Sequence, residues 1–126
     1  MRTFKSFKDL IIWQKAQKVF EMVCEDIKTW PRNTISISIA HQLIDSAGSI
    51  SSNIAEGYGR GGPREFEQFL RFSRGSCAET DNWLFKAEQQ KFITSSRYKE
   101  YLFLFEELYK MTASFVNKLR NQSKTR

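Results

Sequence analysis

Histidine occurs once in this chain, and cysteine and proline twice each. With His41 alone, and with Cys24 and Cys77 in different segments, the usual zinc sites cannot be assembled, because they take four Cys, His or carboxylate ligands or a clustered three. A Ser-His-Asp arrangement would have to use His41, and nothing near it resembles the strand–turn–helix elbow that exposes a nucleophile. No apolar run approaches the roughly 20 residues needed to span a bilayer. Met1-Arg2-Thr3-Phe4-Lys5 leads into alternating charged and apolar residues rather than the apolar core of a signal peptide. The expectation is a cytoplasmic protein with reduced thiols, without metal, cofactor, membrane span or enzymatic activity.

What the chain does have is apolar bulk and positive charge. Its 126 residues are 40% hydrophobic, with eleven Phe and three Trp. That suits a single domain over residues 1–126, which at this size buries roughly two thirds of its unfolded surface. Twenty Lys and Arg stand against fourteen Asp and Glu, a net charge of +6. The excess favours an acidic partner, with nucleic acid the commonest.

Apolar residues recur at helical spacing in four segments, about 9–29, 35–57, 63–90 and 95–120. In the first, Ile12, Trp13, Ala16, Val19, Phe20, Val23 and Ile27 trace one face. Trp30-Pro31-Arg32-Asn33 breaks the pattern, since a residue before proline is pushed from the α region. Thr34 or Ser36 is the expected cap of the second helix. Ile35-Ser36-Ile37-Ser38-Ile39 alternates like a strand, but no second strand exists to pair with it. Pro63 opens the third helix, and Thr94 or Ser95 caps the fourth. Connections of about four to seven residues make neighbours antiparallel. The predicted fold is an all-α, up-down-up-down antiparallel four-helix bundle with short basic tails.

The stretch Asn53-Ile54-Ala55-Glu56-Gly57-Tyr58-Gly59-Arg60 leads into an expected glycine-rich turn from Gly57 to Gly62. Gly57, Gly59 and Gly62 fit G-x-G-x-x-G by letter. A pyrophosphate cradle would need a buried strand before the first glycine, whereas Ile39, Leu43, Ala47, Ile50 and Ile54 form a helix stripe. A helix–glycine–helix corner offers no sheet edge for a dinucleotide.

Two faces exceed what packing requires. On the second helix His41, Asp45, Gly48, Ser49, Ser52 and Glu56 gather opposite the apolar stripe. This back loses helix propensity without gaining charge, so Asp45, Ser49, Ser52, Asn53 and Glu56 are read as a contact between copies; an ordinary polar face is the plainer alternative. On the third helix Arg64, Arg71 and Arg74 fall within roughly 80° of one another, in keeping with phosphate binding. The alternative is a solvated face whose arginines pair with Glu67 and its neighbours. The bundle topology also brings Arg2, Lys5, Lys8, Arg60, Arg64, Lys118, Arg120, Lys124 and Arg126 to one pole, against Asp9, Glu56 and Glu65. The candidate nucleic-acid contacts are therefore Lys5, Lys8, Arg60, Arg64, Arg71, Arg74, Arg120 and Lys124, with strong salt dependence and little sequence preference expected.

Phe7-x-x-Leu10-x-x-Trp13-Gln14-Lys15-Ala16, the Asn53–Arg60 block, Glu65-Phe66-x-x-Phe69-Leu70 and Gly75-Ser76-x-x-Glu79 occur in that order. Together they resemble the four-helix-bundle proteins encoded in intervening sequences of bacterial large-subunit (23S) ribosomal RNA genes. The resemblance implies a ring-like homopentamer. It also brings in a relative, the accessory variability protein of diversity-generating retroelements, a basic pentamer that binds nucleic acid. The matching positions are Asn53, Glu56, Gly57, Gly59, Arg60, Gly75, Ser76 and Glu79. Where relatives usually carry paired arginines and alanines, this chain has Leu43-Ile44-Asp45-Ser46-Ala47, and a glycine common between the last two helices is replaced by Gln90-Lys91. The expectation is a non-enzymatic oligomer binding structured RNA or other nucleic acid; the alternative is a structural protein–protein module with no nucleic-acid role.

Overall fold

The apolar spacing of the first segment does give a helix, preceded by a separate capped turn. The computed structural model describes residues 6–124. Phe7–Asp9 form a 3-10 turn in which the Ser6 hydroxyl accepts from the Lys8 N–H at 3.1 Å and the Asp9 carboxylate accepts from the Ser6 N–H at 3.3 Å. Helix α1 follows over Ile11–Ile27 and buries Ile12, Ala16, Val19, Met22 and Val23.

Helix α2 spans Thr34–Arg60. Its cap is Asn33, one residue before Thr34 and three before Ser36, the two expected candidates. The Asn33 carboxamide accepts from the Ser36 N–H at 2.9 Å, and the Ser36 hydroxyl accepts from the Asn33 N–H at 3.1 Å. That reciprocal pair satisfies two backbone donors at once, and it turns the alternating isoleucines into the first turns of a helix. Ile39 points inward while Ile35 and Ile37 stay exposed.

The glycine-rich turn is shorter than expected. Helix α2 continues through Gly57 and Gly59 to Arg60, and only Gly61 and Gly62 lie between it and α3 (Pro63–Gln89). Gly61 supplies the left-handed stop, with φ +86°. Gly57 serves another purpose: a Cβ there would sit 2.7 Å from Phe69 Cβ and 2.9 Å from Phe66 Cδ1. Its missing side chain lets α3 approach α2, and this contact offsets the roughly 1 kcal/mol that glycine costs a helix.

Helix α4 covers Ser95–Lys124. Thr94 caps it, its hydroxyl accepting from the Arg97 N–H at 3.0 Å. At the end of α3 the Phe92 N–H donates to the Ala87 carbonyl and the Lys91 N–H to the Glu88 carbonyl, both at 2.9 Å. This is a Schellman closure, and its left-handed position is filled by Lys91 at φ 64°.

Each helix packs on its chain neighbour, and α1 also packs on α4; among the described residues the diagonal pairs do not meet. The result is an antiparallel four-helix bundle around Leu43, Ile50, Ile54, Leu70, Leu84, Tyr101, Phe105 and Leu108. The α2–α3 seam is lined with small hydroxyls. Ser73 donates to the Ile50 carbonyl at 2.8 Å, and Thr80 lies 3.0 Å from the Ser46 hydroxyl. Between α1 and α4, the buried Tyr101 hydroxyl donates to Asp26 at 2.6 Å and the Arg97 Nε donates to the same carboxylate at 3.0 Å. Burial, then that carboxylate, raises the Tyr101 hydroxyl above its ordinary range. Among the described residues no helix is long and apolar enough to cross a membrane.

Candidate nucleic-acid interface

Residues three and four apart on a helix share a face, so Glu67, Arg71 and Arg74 form one outward stripe on α3. The antiparallel run of α4 brings Arg120 beside it. Arg71 donates to the Glu67 carboxylate through Nε and Nη2 at 3.1 and 2.8 Å. Arg120 donates to the same carboxylate through Nε and Nη2 at 3.1 and 3.2 Å. Hydrogen bonds from Arg120 first, then Arg71, hold Glu67 below the usual carboxylate range.

Arg74 is exposed and makes no ion pair among the described residues. Arg71, Arg74 and Arg120 line one cavity of about 310 Å³ between α3 and α4, with Thr112, Ala113, Val116 and Asn117 completing it. Three guanidiniums against one carboxylate leave this cavity cationic. Guanidinium forks match phosphate geometry and keep their charge at any physiological pH. Glu67 fixes two of them, which reduces the side-chain freedom lost when an anion binds.

The remaining candidates are dispersed. Arg60 turns to the α2–α3 side, where its Nη2 donates to Glu56 at 2.6 Å and its guanidinium covers the Phe69 ring at 5.2 Å. Donating this hydrogen bond to Glu56 raises the guanidinium pKa above its ordinary value. Arg64 lines a separate corner cavity with Gly62, Pro63, Glu65 and Ser123. Lys8 sits over the Phe7 ring at 5.9 Å, and Lys124 ends α4. Lys5, like Arg2 and Arg126 of the expected pole, lies outside the described residues. The pole is also less cationic than the linear count implies, because Glu67, absent from that count, reaches Arg120 from α3.

On α2, Asp45, Ser52 and Glu56 are exposed, and Ser49 and Asn53 are half-buried. Ser49 and Asn53 satisfy themselves on their own helix, donating to the Asp45 and Ser49 carbonyls at 2.9 and 2.8 Å. Gly48 leaves this face: a Cβ there would meet Phe20 of α1 at 3.5 Å. Sequence reasoning passed over Phe72, which is half exposed and stands edge-on to Phe69 at 5.5 Å. It also passed over Phe85, which is exposed, as are Leu102 and Tyr109 within the apolar stripe of α4. The signal available in the sequence was the breadth of the apolar stripe from Tyr98 to Leu119 on α4, wider than one buried face requires. Burial raises the Tyr109 hydroxyl above its ordinary value, helped by nearby Cys77 and Asp81, while the neighbouring Arg74 charge opposes them.

No group of side chains among the described residues could hold a metal ion. Cys77 is buried and its thiol is pushed up to about 12 by that burial, a state in which it is a poor nucleophile.

The bundle is similar to the crystal structure of a protein of unknown function from the S23 ribosomal protein family of Bacteroides thetaiotaomicron VPI-5482. The likeness has a TM-score of 0.76 at 20% identity, over 84% of this chain and 98% of that one. At that identity it speaks for the fold alone. No curated protein matches the sequence. The sequence profile of the family described as 23S rRNA-intervening sequence protein matches residues 8–114, most of the bundle, and the chain belongs to that family.

Proposed function

We propose that this protein is a non-enzymatic, cytoplasmic, self-associating bundle, a homopentamer, that binds structured RNA or other nucleic acid through the α3–α4 arginine cluster. The observation that carries the reading is the convergence of Arg71, Arg74 and Arg120 on one cavity. The net charge of +6 and the family's tie to intervening sequences of 23S rRNA support it and make ribosomal RNA the natural first ligand. The exposed small-residue face of α2 carries self-association. Asp45 and Ser52 are exposed there, and Phe72 on the adjoining helix adds exposed apolar area.

The test is fluorescence anisotropy with a labelled ribosomal stem-loop at two salt concentrations. Wild type should bind, and its affinity should fall steeply with salt. The triple variant Arg71→Gln, Arg74→Gln, Arg120→Gln should bind weakly, with a log–log salt slope shallower by about 2 to 3. Absence of binding at low salt would end the nucleic-acid reading. Self-association is tested separately by light scattering: Ser52→Arg should lower the mass in solution, and an unchanged mass would remove α2 from the interface.

A further inference from the structure

Along the α3–α4 seam, charge gives way to aromatic surface. On α3, Arg71, Arg74, Ala78 and Phe85 recur at helical spacing on the edge toward α4; on α4, Arg120, Ala113, Tyr109 and Leu102 do the same toward α3. Phe85, Leu102 and Tyr109 are 49%, 37% and 36% exposed. Phe85 stands edge-on to Tyr98, with ring centroids 6.3 Å apart, and the Tyr98 hydroxyl occupies the Asp81 carboxylate. At 1.5 Å per residue, Arg120 to Tyr109 spans roughly 16 Å and Tyr109 to Leu102 roughly 10 Å.

We propose, on the basis of the nucleic-acid reading above, that this seam binds an unpaired strand, with phosphates on Arg71, Arg74 and Arg120 and bases stacked on Tyr109 and Phe85. Solvated aromatic rings flanking a guanidinium cluster are the recurring means of holding single-stranded nucleic acid, because every base has a face to stack. A duplex hides those faces, and A-form RNA offers side chains mainly phosphates and the shallow minor groove. The arginines alone would suit either form; the rings favour the unpaired one.

The experiment compares a labelled unpaired RNA of about a dozen nucleotides with a blunt duplex of the same sequence. Wild type should prefer the single strand by at least about tenfold. Tyr109→Leu and Phe85→Leu, which keep apolar bulk but lose the ring, should each weaken single-strand binding by about tenfold. Duplex binding should stay unchanged, circular dichroism should show each variant folded, and Tyr109→Phe should bind as wild type does. Equal or tighter duplex binding, or Leu variants that bind the single strand normally, would overturn this inference and leave the broader nucleic-acid reading standing. Failure of both RNAs to bind would remove the two together.

Discussion

Helix α3 carries two seams built from opposite materials. Toward α2 it presents Ser73 and Thr80 to Ile50 and Ser46, with Phe66 and Phe69 resting on the bare backbone of Gly57. Toward α4 it presents Glu67, Arg71 and Arg74, with Arg120 reaching in from the partner helix. Where side chains are small, backbones come close and little room remains for a ligand. Where they are long and charged, the helices stay apart at the surface and a cavity opens. The same helix therefore fixes the fold on one flank and offers chemistry on the other.

The largest effect is expected where that closeness is broken. Gly57→Val should cost about 3 kcal/mol, because the added branches collide with Phe66 and Phe69. Gly59→Ala, which meets nothing within 4 Å, should gain up to about 1 kcal/mol from helix propensity. Urea unfolding of the pair checks this, and equal responses would mean that the α2–α3 seam has room to spare.

A smaller effect separates the two helix ends flanking α3. Gly61 occupies its left-handed position without strain, whereas Lys91 carries a Cβ at φ 64°. Lys91→Gly should raise stability by about 1 kcal/mol, read as a higher melting temperature. An unchanged or lower value would show that the Lys91 side chain contributes contacts worth the strain.

The smallest effect belongs to the charged seam. Glu67 is held below the usual carboxylate range by Arg120 and Arg71, so the folded state keeps it ionised longer than the unfolded chain does. Its stabilisation is complete above the ordinary glutamate value of about 4.3 and is lost as pH falls through that value and the depressed one. The three side chains are partly solvated, so the amount is below about 1 kcal/mol. Melting curves from pH 7 to pH 3 should show Glu67→Gln losing less stability than wild type over this range. Parallel curves would mean that the pairing is only geometric.

Much of this was legible in the chain. Periods of three and four placed all four helices, since each must bury one stripe. Pro63 and Thr94 marked their starts through local backbone chemistry. Gly57 was misread because a glycine needed for a turn and one needed for close approach look alike in one dimension. Asn33 was missed because Asn, Thr and Ser are all good caps, and only the Ser36 hydroxyl reaching back selected among them. Lys91 fell at the position noted as lacking a glycine, and the φ found there gives that departure its physical meaning.

By itself the sequence determined an all-α bundle, the order of its helices, the sharing of one α3 face by Arg71 and Arg74 and the excess of positive charge, because these follow from periodicity and composition. Tertiary structure alone decided that Arg120 joins Arg71 and Arg74, that Arg60 turns away to Glu56 and Phe69, and that Phe85 and Tyr109 keep part of their rings exposed farther along the same seam. Which side chains meet across a seam depends on the register and separation of two packed helices, and neither quantity is written within one helix.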